Sequence, residues 1–163
     1  MKTRVAYFGV FTALALIFSY VESLIPIHFG IPGVKLGLAN LIIVVALYRM
    51  RAKEVYLLSV ARVVLSGFLF GNLFAILYSL AGGLLSVTAM LAFQRTERFS
   101  IYGVSMAGGV FHNVGQLLMA VAVVESVTIA GYLPVLLIAG LLAGLFIGII
   151  AHEMQKRIRI INR

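Results

Sequence analysis

Residues 132–151 read YLPVLLIAGLLAGLFIGIIA, twenty positions without a charged side chain. A helix needs about 20 mostly apolar residues to cross a bilayer, so this stretch alone predicts a membrane span. Working outward, five further runs share its character: 5–21, 36–48, 55–70, 73–93 and 101–124. Strands of a membrane barrel would alternate apolar and polar residues over about ten positions. These runs are continuous, so the reading is helical. Composition agrees: 63% of the 163 residues are hydrophobic and 11% charged, and mean hydropathy is +1.12. A soluble domain would be about a quarter charged. A soluble globule, a disordered chain and a nucleic-acid-binding chain are excluded, and residues 1–163 read as a single membrane domain with no polar linker.

The net charge of +8 is explained by where the charges fall. With both termini in the cytoplasm, the inner set is Lys2, Arg4, Arg49, Arg51, Lys53, Arg95, Arg98, Lys156, Arg157, Arg159 and Arg163. Outside remain Lys35, Glu22 and Glu125, and Arg62 falls within a span. That asymmetry satisfies the positive-inside rule, and an odd number of spans would destroy it. The expected architecture is therefore an all-α bundle of six transmembrane helices in a cytoplasmic membrane, both termini inside. The first run is read as a span rather than a signal peptide, because no small-x-small cleavage site follows it. The basic tail 155–163 is expected against the anionic inner leaflet.

The second span is unusual. Its cleanly apolar part, 38–48, would rise only about 17 Å as a helix. It is preceded by 25–35, IPIHFGIPGVK, whose prolines and glycines break a helix although the segment is too apolar for a solvated loop. Irregular backbone at membrane depth is tolerated where protein buries it or where it lines a cavity, and transporters build substrate sites from such elements. An interfacial loop capping the bundle is the alternative, and the sequence leaves both open.

Polar side chains inside the spans mark a candidate site. Arg62 lies mid-span with Ser59 and Ser66 on the same helix face. The fifth span carries Ser105, Gly109, His112 and Gln116 as a stripe, with Asn113 alongside; Asn40, Asn72, Glu22, His28 and Lys35 lie toward the outer side. Intramembrane charges usually face a bundle interior or wet cavity. A guanidinium with amide and imidazole donors suits an anionic or strongly hydrogen-bonding small molecule. The substrate-binding set expected is Arg62, His112, Asn113, Gln116, Asn40, Lys35, Asn72 and Glu22. Against this, Arg62 could serve a buried structural pairing. His112, Asn113 and Gln116 could simply bridge helices, at roughly 0.6 kcal/mol each.

Small residues predict close helix contacts: Gly140, Gly144 and Gly148 on the sixth span, Gly67 and Gly71 on the third. On the first span Gly9 and Ala13, with Ala15 close by, form a further small-residue face, a packing seam or a docking surface for another membrane subunit.

Catalytic signatures are missing. No HExxH, Walker A, GxSxG or dinucleotide pattern occurs, there is no Cys and no Asp, and all five acids are Glu. His28, His112 and His152 fall outside, within and inside the membrane, so they do not converge on a metal. No enzymatic role, cofactor or metal is expected.

The blocks 22–26 (ESLIP), 32–40 (PGVKLGLAN) and 46–49 (ALYR) resemble the Gx transporter family, often labelled heptaprenyl diphosphate synthase component I. The likeness runs over most of the chain and includes Arg62, the 67–72 region and the His112-Asn113 pair. That family is similar to the substrate-binding S components of energy-coupling factor (ECF) transporters, six-helix membrane proteins with both termini inside. The resemblance implies capture of a substrate from outside and docking through the first helix, here Gly9, Ala13 and Ala15, onto a transmembrane coupling subunit. Two cytoplasmic ATPases would then drive release inward. It suggests flavins and isoprenoid or quinone precursors as ligand classes. Prenyl diphosphate synthases hold magnesium and diphosphate with aspartate-rich motifs, which this sequence lacks. An accessory subunit for prenyl diphosphate or quinone synthesis, or a structural subunit of a membrane redox complex, is the alternative.

Overall fold

The computed structural model describes residues 2–25 and 37–161. Among them are six α-helices, α1 (Lys2–Leu24), α2 (Leu38–Leu47), α3 (Ala52–Phe70), α4 (Leu73–Arg95), α5 (Ile101–Val124) and α6 (Leu133–Ile161). A 3-10 turn, Val127–Tyr132, leads into α6, and no strand is found among the described residues. Side-chain caps fix several starts. Asn72 accepts from the Ala75 N–H at 2.8 Å to open α4, and Ser100 accepts from the Gly103 N–H at 3.5 Å to open α5. At α3, Glu54 reaches back to the Arg51 N–H at 2.8 Å.

Four helical stretches are long and apolar enough to cross a membrane: Val5–Leu24, Leu73–Arg95, Ile101–Val124 and Val127–Arg157. The chain is a helical membrane protein. The remaining two of the six expected spans differ for definite reasons. In α3, Lys53, Glu54 and Arg62 dilute the apolar run, and α2, ten residues long, rises only about 15 Å. Beyond the last expected span, α6 runs on through the basic residues to Ile161, 29 residues in all. Met, Gln, Lys and Arg are good helix formers, and Lys156 bonds Glu153 one turn back at 2.9 Å.

The helices close into a ring, α2–α3–α4–α5–α6 and back to α2, with α1 packed on α2 and α3. Glycines set the tightest seam. A Cβ at Gly140 would meet the Gly109 carbonyl oxygen at 2.7 Å, and one at Gly144 would meet the Ser105 carbonyl oxygen at 2.6 Å, so any larger residue would force α5 and α6 apart. The expected Gly140/Gly144/Gly148 ridge is thus internal packing.

Although short, α2 is the centre of the core. Residues 41–47 are all buried, and around them pack Val55 and Leu58 from α3, Val87 and Met90 from α4, Val104 from α5, and Ile147 and Ala151 from α6. These neighbours come from the start of α3 and α5 and the latter halves of α4 and α6, so the apolar core fills the end of the bundle that carries the basic loops. The α2 carboxyl end is closed by distant amides. Gln94 donates to the Leu47 carbonyl at 3.1 Å and Gln155 to the Val45 carbonyl at 3.2 Å, while Arg49 Nε donates to Gln155 Oε1 at 3.0 Å. The Leu47 carbonyl at the end of α2 is met in this way, and the Val45 carbonyl, which already takes the Tyr48 N–H at 3.3 Å, gains a second donor.

A polar cluster at the amino end of α2

Ten residues into α3, roughly 15 Å from its start, sits Arg62, with only 8% of its surface exposed. Its Nη2 donates to Asn40 Oδ1 in the first turn of α2 at 3.4 Å, and its Nε is buried with no hydrogen-bond partner among the described residues. Gly37, immediately before α2, adopts φ +75°, a left-handed backbone that glycine enters without strain. Its N–H donates to Glu22 Oε1, near the end of α1, at 2.6 Å. Glu22 therefore does for α2, from another helix, what Glu54 does for α3 from within.

Glu22 also attracts Arg62 electrostatically, across a gap wider than a direct ion pair. The positive end of the α2 dipole, a carboxylate and a buried guanidinium thus converge where the segment joining α1 and α2 returns to helix. In a low-dielectric interior such an arrangement suits a charged or strongly hydrogen-bonding group.

Three predicted site residues, Glu22, Asn40 and Arg62, are brought together here. The others have different surroundings. Asn113 donates to the Leu136 carbonyl on α6 at 2.7 Å, stitching α5 to α6. His112 and Gln116 lie on the α4–α5 seam, where the His112 ring and the Gln116 stem press on Gly82. Asn72 is spent on the α4 cap, exposed, at the far end of α3 from Arg62. Lys35 and His28 lie outside the described residues. Ser59 is buried against Gly83 of α4, and Ser66 bonds back to the Val63 carbonyl at 3.3 Å.

The expected docking face on α1 is narrower than the sequence suggests. Only 6% of the α1 span is buried, against 39% of the α4 span. Gly9 and Ala13 lie one turn apart on the open side, and nothing approaches the Cβ position of Gly9 within 4 Å. Ala15, however, is fully buried. At about 100° per residue it sits across the helix from Ala13, so it belongs to the packing of α1 on the bundle and is removed from the outward face.

Gly37, Gln94 and Gln155 were not singled out as functional positions by sequence. Their signal is faint but real: a glycine opening a helix, and lone amides in the last turns of apolar helices. A separate shallow apolar groove of about 490 Å³ runs between α4 and α5, bordered by Leu84, Thr88, Leu118 and Met119. It contains none of the cluster residues. No group of three or more His, Cys, Asp or Glu placed to hold a metal occurs among the described residues.

An all-helical membrane bundle with a charged cluster beside a short buried helix defines the class of protein. Residues 11–154 match the family described as heptaprenyl diphosphate synthase component I, and the chain belongs to that family. No curated protein shows a significant match, and no solved structure does.

Proposed function

We propose that this chain is a non-catalytic, S-component-like subunit that captures a small anionic or vitamin-like metabolite, such as a flavin or an isoprenoid or quinone precursor. In this reading it sits in a prokaryotic cytoplasmic membrane with both termini inside. It takes its ligand from outside and hands it to a transmembrane coupling subunit driven by two ATPases. The observation that carries the reading is Arg62, nearly buried, bonded to Asn40 at the amino end of α2, with Nε unpaired among the described residues. A buried guanidinium that is not fully used is costly to a fold and usually marks a pathway or binding site. The outward Gly9/Ala13 side of the sparsely buried α1 supports a docking role for that helix.

Native mass spectrometry of the gently solubilised protein, with extraction of bound small molecules, is the direct test. A stoichiometric metabolite, lost in Arg62→Ala at unchanged helical content, is the expected result. An empty protein that co-purifies with prenyl-transferring enzymes would replace the reading with the alternative that the family's description favours, an accessory subunit for prenyl diphosphate synthesis.

A further inference from the structure

We propose that Glu22 is a built-in stand-in for the anionic group of the ligand, and that a carboxylate or phosphate on the ligand binds by displacing it. The inference rests on reading the α2 amino end as the ligand site and adds how that site is held when no ligand is there.

The argument starts from what Glu22 contacts. Its carboxylate takes the Gly37 N–H at 2.6 Å and faces the positive end of α2, with Arg62 close enough to attract it. Those are the contacts a helix terminus offers an external oxyanion. Arg62 keeps donors in reserve, because its described bond is a long one from Nη2 at 3.4 Å and Nε has no described partner. A guanidinium grips an oxyanion best through two parallel N–H groups, which this geometry leaves available.

A ligand anion drawn to Arg62 and the amino end of α2 meets the Glu22 carboxylate already held on the Gly37 N–H, and two like charges competing for one helix terminus repel. One must leave, and Glu22 is the one that can, since it is half-buried, one turn from the end of α1. Displacement also breaks the Gly37 bond, a hydrogen bond that ties the end of α1 to the start of α2.

The test uses the full-length protein in detergent, titrated at constant ionic strength with inorganic phosphate and separately with acetate, chloride serving as the reference salt. The thermal unfolding midpoint is the readout. Glu22→Gln keeps the oxygen acceptor for Gly37 but removes the competing charge. We expect it to respond at about tenfold lower anion concentration than the parent, the order of effect for removing a nearby like charge. Arg62→Lys in the Glu22→Gln background should abolish that gain, and the anion that responds tells whether the ligand group is a phosphate or a carboxylate. Unchanged or weaker anion response in Glu22→Gln overturns the proposal, as does a gain that survives Arg62→Lys. Absence of response to either anion also overturns it, while a metabolite found by mass spectrometry would keep the capture reading standing.

Discussion

At its carboxyl end α2 hands its last carbonyls to two neutral amides, Gln94 and Gln155, whereas its amino end meets a carboxylate, Glu22, beside the buried guanidinium of Arg62. Both ends present the same problem, unpaired backbone groups inside a membrane protein. The amide solution is complete at the carbonyls it serves, which belong to residues of the apolar core. The charged solution leaves Arg62 Nε unpaired among the described residues and stands next to a glycine in a left-handed turn. A helix that needed only to be held in place could have used amides at both ends. The difference sets an end closed by amides against an end that holds a guanidinium with an unused donor, and under the proposed function the second is the ligand end.

The largest effect expected from breaking this contrast is at Arg62. Arg62→Leu removes a charge-assisted donor set, worth about 1.5–3 kcal/mol per hydrogen bond. Affinity for the co-purifying small molecule should fall about 100-fold, equivalent to roughly 2.7 kcal/mol. Ligand titration beside a helical-content measurement separates this from misfolding. A loss of stability with affinity intact would make both ends of α2 structural.

The opposite outcome is expected at the amide end. Gln155→Leu takes one of two donors from the Val45 carbonyl, which keeps the Tyr48 N–H at 3.3 Å, and takes away the partner of Arg49. Two hydrogen bonds are lost at about 1 kcal/mol net each, so the unfolding free energy in detergent should drop by about 2 kcal/mol with ligand affinity unchanged. A ligand-affinity defect in Gln155→Leu would mean that the two ends of α2 communicate.

How much of this contrast was legible beforehand depends on the range over which each feature is encoded. Local signals read well: the apolar runs gave α4 and α5 starting at Leu73 and Ile101, as found. Arg62 stood out because a charge inside a span is rare. Asn72 carried a local signal that was open to misreading, since an asparagine directly before an apolar run is first a helix cap. The stripe on α5 is divided between two neighbours, because one helix faces both. Asn113 turns to α6, while His112 and Gln116 turn to α4. The amide closure of α2 could not be read at all, because Gln94 and Gln155 lie 47 and 110 residues from the carbonyls they meet.

Asn40 sharpens the comparison from within the charged end. Its side chain accepts from Arg62 and so holds the guanidinium against α2. Asn40→Ala should leave Arg62 in place but less well aimed, with affinity lowered about tenfold, or roughly 1.4 kcal/mol. A loss equal to that of Arg62→Leu would place Asn40 on the ligand itself.

The smallest effect belongs to Asn113, which the sequence grouped with the site and the structure ties to α6. Its Nδ2 bond to the Leu136 carbonyl joins two helices that already approach closely at Gly109 and Gly140. Hydrogen bonds between helices in a membrane average about 0.6 kcal/mol, because the separated helices find other partners. Asn113→Leu should therefore cost about that much stability, and ligand affinity should stay within the error of the titration. If affinity instead falls tenfold or more, the polar site extends from α2 and α3 across to α5, and the division between an anchoring amide and a ligand-facing charge no longer follows side-chain chemistry alone.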